Sequence, residues 1–164
     1  MRQLAFLSPE SGQIVNVASV PKRSPFRYPG GKTWLVPKIR QWLLSRPVRP
    51  AELIEPFAGG AIVGLTAAFE RLTEHVTLVE LDRGVAAVWR TILEGDAEGL
   101  AGRIAGYELS MENALTTLAA EPTTEMELAL HTVLRNRINR GGILAPGAGL
   151  IKYGENGRGL TSRW

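Results

Sequence analysis

The sequence predicts an α/β fold, and two stretches of it carry that prediction. Between residues 51 and 93 it reads strand, glycine turn, helix, strand, helix, which is the βαβ unit of a parallel sheet. From residue 96 to 138 the apolar residues recur with a helical period. A third observation bounds the reading: only two strong strands occur in 164 residues. A two-stranded parallel sheet leaves faces and edges bare and is marginal alone, so the expectation is the N-terminal part of an α/β domain.

Each element has a local reason. Residues 1–25 hold Pro9, Gly12, Pro21 and Pro25 and show no sustained period, so they read as an extended arm with one short strand near 14–17. Pro29-Gly30-Gly31 is a turn, after which Thr33 is expected to cap a helix with Leu35, Ile39, Trp42 and Leu43 on one face. Pro37 falls near that helix start, where a missing N–H does least harm. Residues 51–55 form the first strand, and the helix at about 61–71 takes its stripe from Ile62, Leu65, Phe69 and Leu72. Residues 75–81 are a second, β-branched strand, followed by a helix over about 85–93 that Asp82 caps. Thr124 with Glu127 is a capping box for a helix carrying Met126, Leu130, Val133 and Leu134. The Gly-rich, basic last 25 residues suit a hairpin or loop.

Composition narrows the function. No run of ~18 apolar residues exists, which excludes a membrane-spanning helix, and residues 1–10 lack the apolar core of a secretory signal. With no cysteine there is no disulfide framework, Cys-zinc site or Cys nucleophile, and a cytoplasmic location is expected. Neither histidine suggests a metal site: His75 opens a strand, and His131 reads as a helix-surface residue. The net charge of +3 conceals an asymmetry. Residues 1–50 carry nine Lys/Arg against Glu10 alone, residues 51–134 carry four against fourteen acids, and residues 135–164 carry six against Glu155 alone. Two basic ends around an acidic middle suit a polyanionic partner.

The segment Glu55-Pro56-Phe57-Ala58-Gly59-Gly60 joins a strand to a helix through a turn where backbone can approach a ligand closely. Helix amides there are free to bind an anion, and Glu55 can accept from an ammonium. A dinucleotide fingerprint would need glycine where Ala61 stands, which disfavours a nicotinamide cofactor. Glu80, 21 residues beyond Gly59, stands at the second strand tip, where acids in such folds receive ribose hydroxyls.

Taken in order, Phe26-Arg27-Tyr28-Pro29-Gly30-Gly31-Lys32, Glu55-Pro56-Phe57-Ala58-Gly59-Gly60 and Val79-Glu80-Leu81-Asp82 resemble the opening motifs of adenine-specific DNA methyltransferases of the Dam-like class. The resemblance runs from about Phe26 to the end and implies the N-terminal part of a Rossmann-like, S-adenosylmethionine-dependent fold. It divides the chain into an arm (1–25), a cofactor-binding α/β part (26–95), and a helical segment with the start of a Gly/Arg-rich target-recognition region (96–164). It implies that Tyr28 and Lys32 border the methionine part of the cofactor. Glu55, Phe57, Gly59 and Gly60 would lie under its amino-acid moiety, and Glu80 would hold its ribose. Arg137, Arg140, Lys152, Arg158 and Arg163 would meet duplex DNA, with Asn136-Arg137 opening the recognition region. The family's catalytic Asp-Pro-Pro-Tyr is absent, since none of the ten prolines is followed by another. The chain is therefore expected to stop short of that motif, to name no catalytic residue, and to self-associate through its exposed sheet edge. The reading from another class is a non-catalytic module that binds the cofactor or nucleic acid.

Overall fold

The computed structural model describes residues 20–27, 31–151, 160 and 164. The expected strand near 14–17, and Tyr28, Lys152, Arg158 and Arg163, lie outside the described residues. Residues 20–27 hold no helix or strand, yet Val20 and Phe26 are buried, so this end of the arm packs on the body.

A single 3-10 turn, Lys32–Leu35, leads into helix α1, Val36–Leu44. Thr33 caps neither, which corrects the sequence expectation: it sits inside the 3-10 turn, and Pro37 falls in the first turn of α1. Strands β1 (Glu52–Pro56) and β2 (His75–Val79) pair in parallel, Glu52 opposite His75 and Pro56 opposite Val79. The crossover between them is helix α2, Ile62–Phe69. Of the expected stripe, Ile62 is buried and Leu65 and Leu72 pack half-buried on the apolar clusters, but Phe69 is exposed beneath the Arg23 guanidinium, and Val63, Thr66 and Ala67 complete the buried face. The helix lies across both strands, so the residues that meet the sheet and α1 are those just after its start.

Helix α3 (Arg83–Leu93) begins as expected, with Asp82 accepting from the Val85 amide at 2.9 Å. Helices α4 (Ala97–Ala105), α5 (Met111–Ala119) and α6 (Glu125–Ile138) follow. The Thr124–Glu127 capping box is complete. Beyond α6, residues 139–151 fold back as the expected hairpin-like loop, the Ile151 amide donating to the Ile138 carbonyl at 2.9 Å.

Two apolar clusters hold these parts. The smaller puts Val36, Ile39 and Leu43 of α1 against α2 and Val20, with Leu53 and Val76 of the sheet beside them. The larger joins α3 and α6 through Val85, Val88, Trp89, Leu130 and Leu134, and reaches Ala58, Ala61 and Phe26 at the glycine turn. His131 belongs to this interior, at 4% exposed, which corrects the surface placement. The acidic Glu127 and basic Arg135 flank it one turn either way, a polar spacing that reads as a surface stripe. Among the described residues the sheet has two strands, and Ile54 and Val79 stand exposed on its bare face.

Candidate functional site

The site is the turn from β1 into α2. Phe57, Gly59 and Ala61 all adopt left-handed backbone, with φ of 51°, 51° and 48°. Glycine adopts that region freely, whereas Phe57 and Ala61 each carry about 1–2 kcal/mol of strain there. Such strain persists only where surrounding groups over-determine the backbone. Here they do. Lys32 donates to the carbonyls of Phe57 at 2.8 Å and Pro56 at 3.2 Å. Glu80 accepts from the Gly59 amide at 2.6 Å, and the buried Trp89 indole donates to the Gly59 carbonyl at 2.8 Å. Phe26 meets the Trp89 ring edge-on at 5.9 Å and seats it.

Glu55 is buried at 4% exposure, and a buried carboxylate needs compensation on both oxygens. One oxygen accepts from the Gly64 amide in the first turn of α2 at 2.7 Å. The other lies 2.8 Å from the Lys32 ammonium. The ammonium that Glu55 was expected to take from a ligand is thus matched here by one from the chain itself. Glu80 is likewise committed: its other oxygen accepts from the amides of Leu81 at 2.8 Å and Asp82 at 2.9 Å. A carboxylate offers about four lone-pair positions, and three are taken.

Against this turn lies a cavity of about 740 Å³, in the size range of small-molecule and cofactor sites. Phe57 to Ile62 form one wall; Lys32, residues 24–27, Arg137 and Trp164 complete it. Gly59 and Gly60, both expected at the ligand, line it, and Phe57 stands 79% exposed at its rim. Glu80 is not part of its lining; half-exposed, it stands beside the cavity, bonded to the Gly59 amide of the wall. Among the described residues no acceptor meets the amides of Gly60, Ile62 and Val63, so the α2 N-terminus offers donors at the cavity wall.

The basic residues separate. Arg140 is exposed on the 3-10 turn Arg140–Gly142. Arg137 is turned inward to the cavity, donating to the Asn136 side chain at 2.6 Å and to the Pro25 carbonyl at 2.7 Å. Asn136 itself is fully buried. Its carbonyl accepts from the Arg27 amide at 2.9 Å, and its amide donates to the carbonyls of Arg27 and Gly142, each at 2.8 Å. It therefore ties the cavity wall before Tyr28 to the loop after α6. Sequence reasoning missed this role and missed Trp89 altogether. The available signal was an Asn between Leu134 and Ile138 near the end of an otherwise apolar helix face, and an indole in a core helix that must find an acceptor.

A cavity at the carboxyl ends of parallel strands, walled by a glycine turn and a helix N-terminus, defines the class: an α/β protein with a cavity at its strand tips, the place where open α/β sheets take their ligands. Residues 28–101 match the family model of the D12 class N6 adenine-specific DNA methyltransferases. The matched segment takes in Lys32, α1, both strands, α2 and α3, and so the 57–62 wall of the cavity, whereas residues 20–27, Arg137 and Trp164 of its lining lie outside the match. The match covers 74 of the 164 residues and supports, for that part of the chain, a likeness to adenine-specific DNA methyltransferases. No curated protein matches the chain. No helix among the described residues is long and apolar enough to cross a membrane.

Proposed function

We propose that this chain supplies the cofactor-binding part of a cytoplasmic DNA adenine methyltransferase of the restriction-modification kind. The methyl group of S-adenosylmethionine would pass to the exocyclic amine of an adenine flipped out of duplex DNA. The α/β part would then be the front of a Rossmann-like sheet, and the loop after α6 the start of the target-recognition region. The observation that carries this reading is the cavity against the 57–61 turn, a turn that lies inside the segment matching the family.

The residues present suit the cofactor. The free amides at the α2 N-terminus can receive its carboxylate, and glycine at positions 59 and 60 admits its backbone-like amino-acid moiety without a Cβ in the way. The remaining acceptor position on Glu80 can take one ribose hydroxyl. Lys32 has two roles in this reading: it neutralises Glu55 and it holds the Phe57 and Pro56 carbonyls so that the turn keeps its shape. When bound, the cofactor supplies an electrophilic methyl on a sulfonium. The protein's part is to fix that group and keep water from it, since position and orientation supply much of the barrier reduction. No residue of this chain is assigned to the adenine amine.

Calorimetry with S-adenosylmethionine, set beside NAD, tests the reading. Binding of the first and not the second is expected; the reverse would overturn it. Glu80→Ala should weaken S-adenosylmethionine binding by about 1.5–3 kcal/mol, the range for a lost hydrogen bond to a charged group. Unchanged affinity would remove Glu80 from the site.

A further inference from the structure

From residue 20 to residue 51 the chain carries eight Lys/Arg and no acid. Several are used within the fold. Arg40 pairs with Glu70 at 2.6 Å and Arg23 joins the same carboxylate at 3.2 Å. Lys32 faces Glu55, and Arg49 lies 3.5 Å from Glu74. Lys38 and Arg46 are different: both are exposed, and among the described residues neither has an acidic partner.

Lys38 stands on α1, and Arg46, two residues past its end, folds back over the Trp42 ring of the same helix. The helix buries Val36, Ile39 and Leu43, which turns Lys38 and Gln41 to solvent. Trp42 follows Lys38 by one turn, and the Arg46 guanidinium lies over its ring at 5.1 Å, which holds the cation up from the helix end. At the other end of the flank the Trp34 indole is 56% exposed, directly after Lys32 and Thr33 of the cavity wall. From Lys38 to Trp42, over whose ring the Arg46 guanidinium lies, is one turn, about 6 Å along the helix. One strand of duplex DNA presents a phosphate about every 3.4 Å of axis, so a single stretch of backbone reaches both cations.

We infer that this flank of α1 is a contact surface for the phosphate backbone of duplex DNA, reaching from the cavity rim at Trp34 to Arg46. The inference rests on the proposed function for its choice of polyanion and adds to it a surface separate from the loop after α6. Phosphate contacts of this kind set position and affinity without reading sequence. The exposed indole offers an apolar plate for the sugar edge next to the cavity.

The test is fluorescence anisotropy of a labelled mixed-sequence duplex with the full chain, from 50 to 200 mM salt. It compares the native protein with Lys38→Gln/Arg46→Gln. Neither substitution touches the core or the cavity, and S-adenosylmethionine calorimetry on the same variant checks that the fold is intact. The slope of log affinity against log salt should fall in magnitude by about 1.8, since each phosphate contact contributes about 0.9. An unchanged slope and affinity would overturn the inference. So would native protein that binds anionic phosphatidylserine vesicles but not the duplex. If S-adenosylmethionine binds and the duplex does not, this surface assignment fails while the cofactor reading stands; if the cofactor fails to bind, the proposed function itself has failed.

Discussion

Replacing Asn136 by leucine removes four hydrogen bonds at one buried point without opening a cavity or adding a charge. The side chain is fully buried, and its partners are the Arg27 amide and carbonyl, the Gly142 carbonyl and the Arg137 guanidinium. Arg27 is half-buried, so its two backbone groups can recover water and lose about 1 kcal/mol each. Gly142 is buried, and orphaning its carbonyl costs about 1–3 kcal/mol. Arg137 keeps its bond to the Pro25 carbonyl and adds little. Burying the leucine side chain returns about 1.5–3 kcal/mol. The net destabilisation is about 2 kcal/mol, which for a chain of this length lowers the melting temperature by about 4–8 °C. Circular dichroism melting measures that shift, and hydrogen exchange reads its location: the Arg27 amide should exchange about tenfold faster or more as the clamp opens. S-adenosylmethionine affinity should fall with it, because residues 24–27 form a cavity wall. A melting temperature within one degree of native, with Arg27 exchange unchanged, would refute the assignment of Asn136 as the clamp.

Gly64→Ala should destabilise the protein by about 1–3 kcal/mol in urea unfolding. A Cβ there lies 2.9 Å from the Glu55 carboxylate and from the side chains of Leu78 and Val76, and this overpacking outweighs the helix-propensity gain of about 1 kcal/mol. His131 is held below its ordinary pKa of 6.5, chiefly by burial and also by Arg135, with Glu127 opposing. Its neutral form is therefore the folded one, so its contribution to stability is complete above pH 6.5 and declines as pH falls below that value; His131→Phe should flatten this dependence in melts across that window. Light scattering should show a mass above that of the monomer, because Ile54 and Val79 are bare on the sheet face and the outer strand edges are unpaired among the described residues. A monodisperse monomer would show that two strands suffice. Tritiated methyl transfer to mixed-sequence duplex should be undetectable for these 164 residues, which hold no Asp-Pro-Pro-Tyr to orient the amine; clear turnover would refute that requirement.

Local signals in the sequence settled the elements and the chemistry of the turn. The Asp82 cap, the Thr124–Glu127 capping box and the β–turn–α–β succession depend on neighbours within a few residues, so they were legible before any packing was known. The spacing of the Gly-Gly-Lys and Glu-Pro-Phe-Ala-Gly-Gly motifs likewise pointed to the strand tip against which the cavity lies. Partner choice was decided only by tertiary structure. Lys32 meets Glu55 across 23 residues, Glu80 closes on Gly59 across 21, and Asn136 holds Arg27 across 109. A carboxylate or an amide in a sequence shows what it can bond, whereas burial decides which bond it must make. Once water is excluded from Glu55 and Asn136, each has to find its partners inside the protein, and the fold alone determines which groups lie within reach.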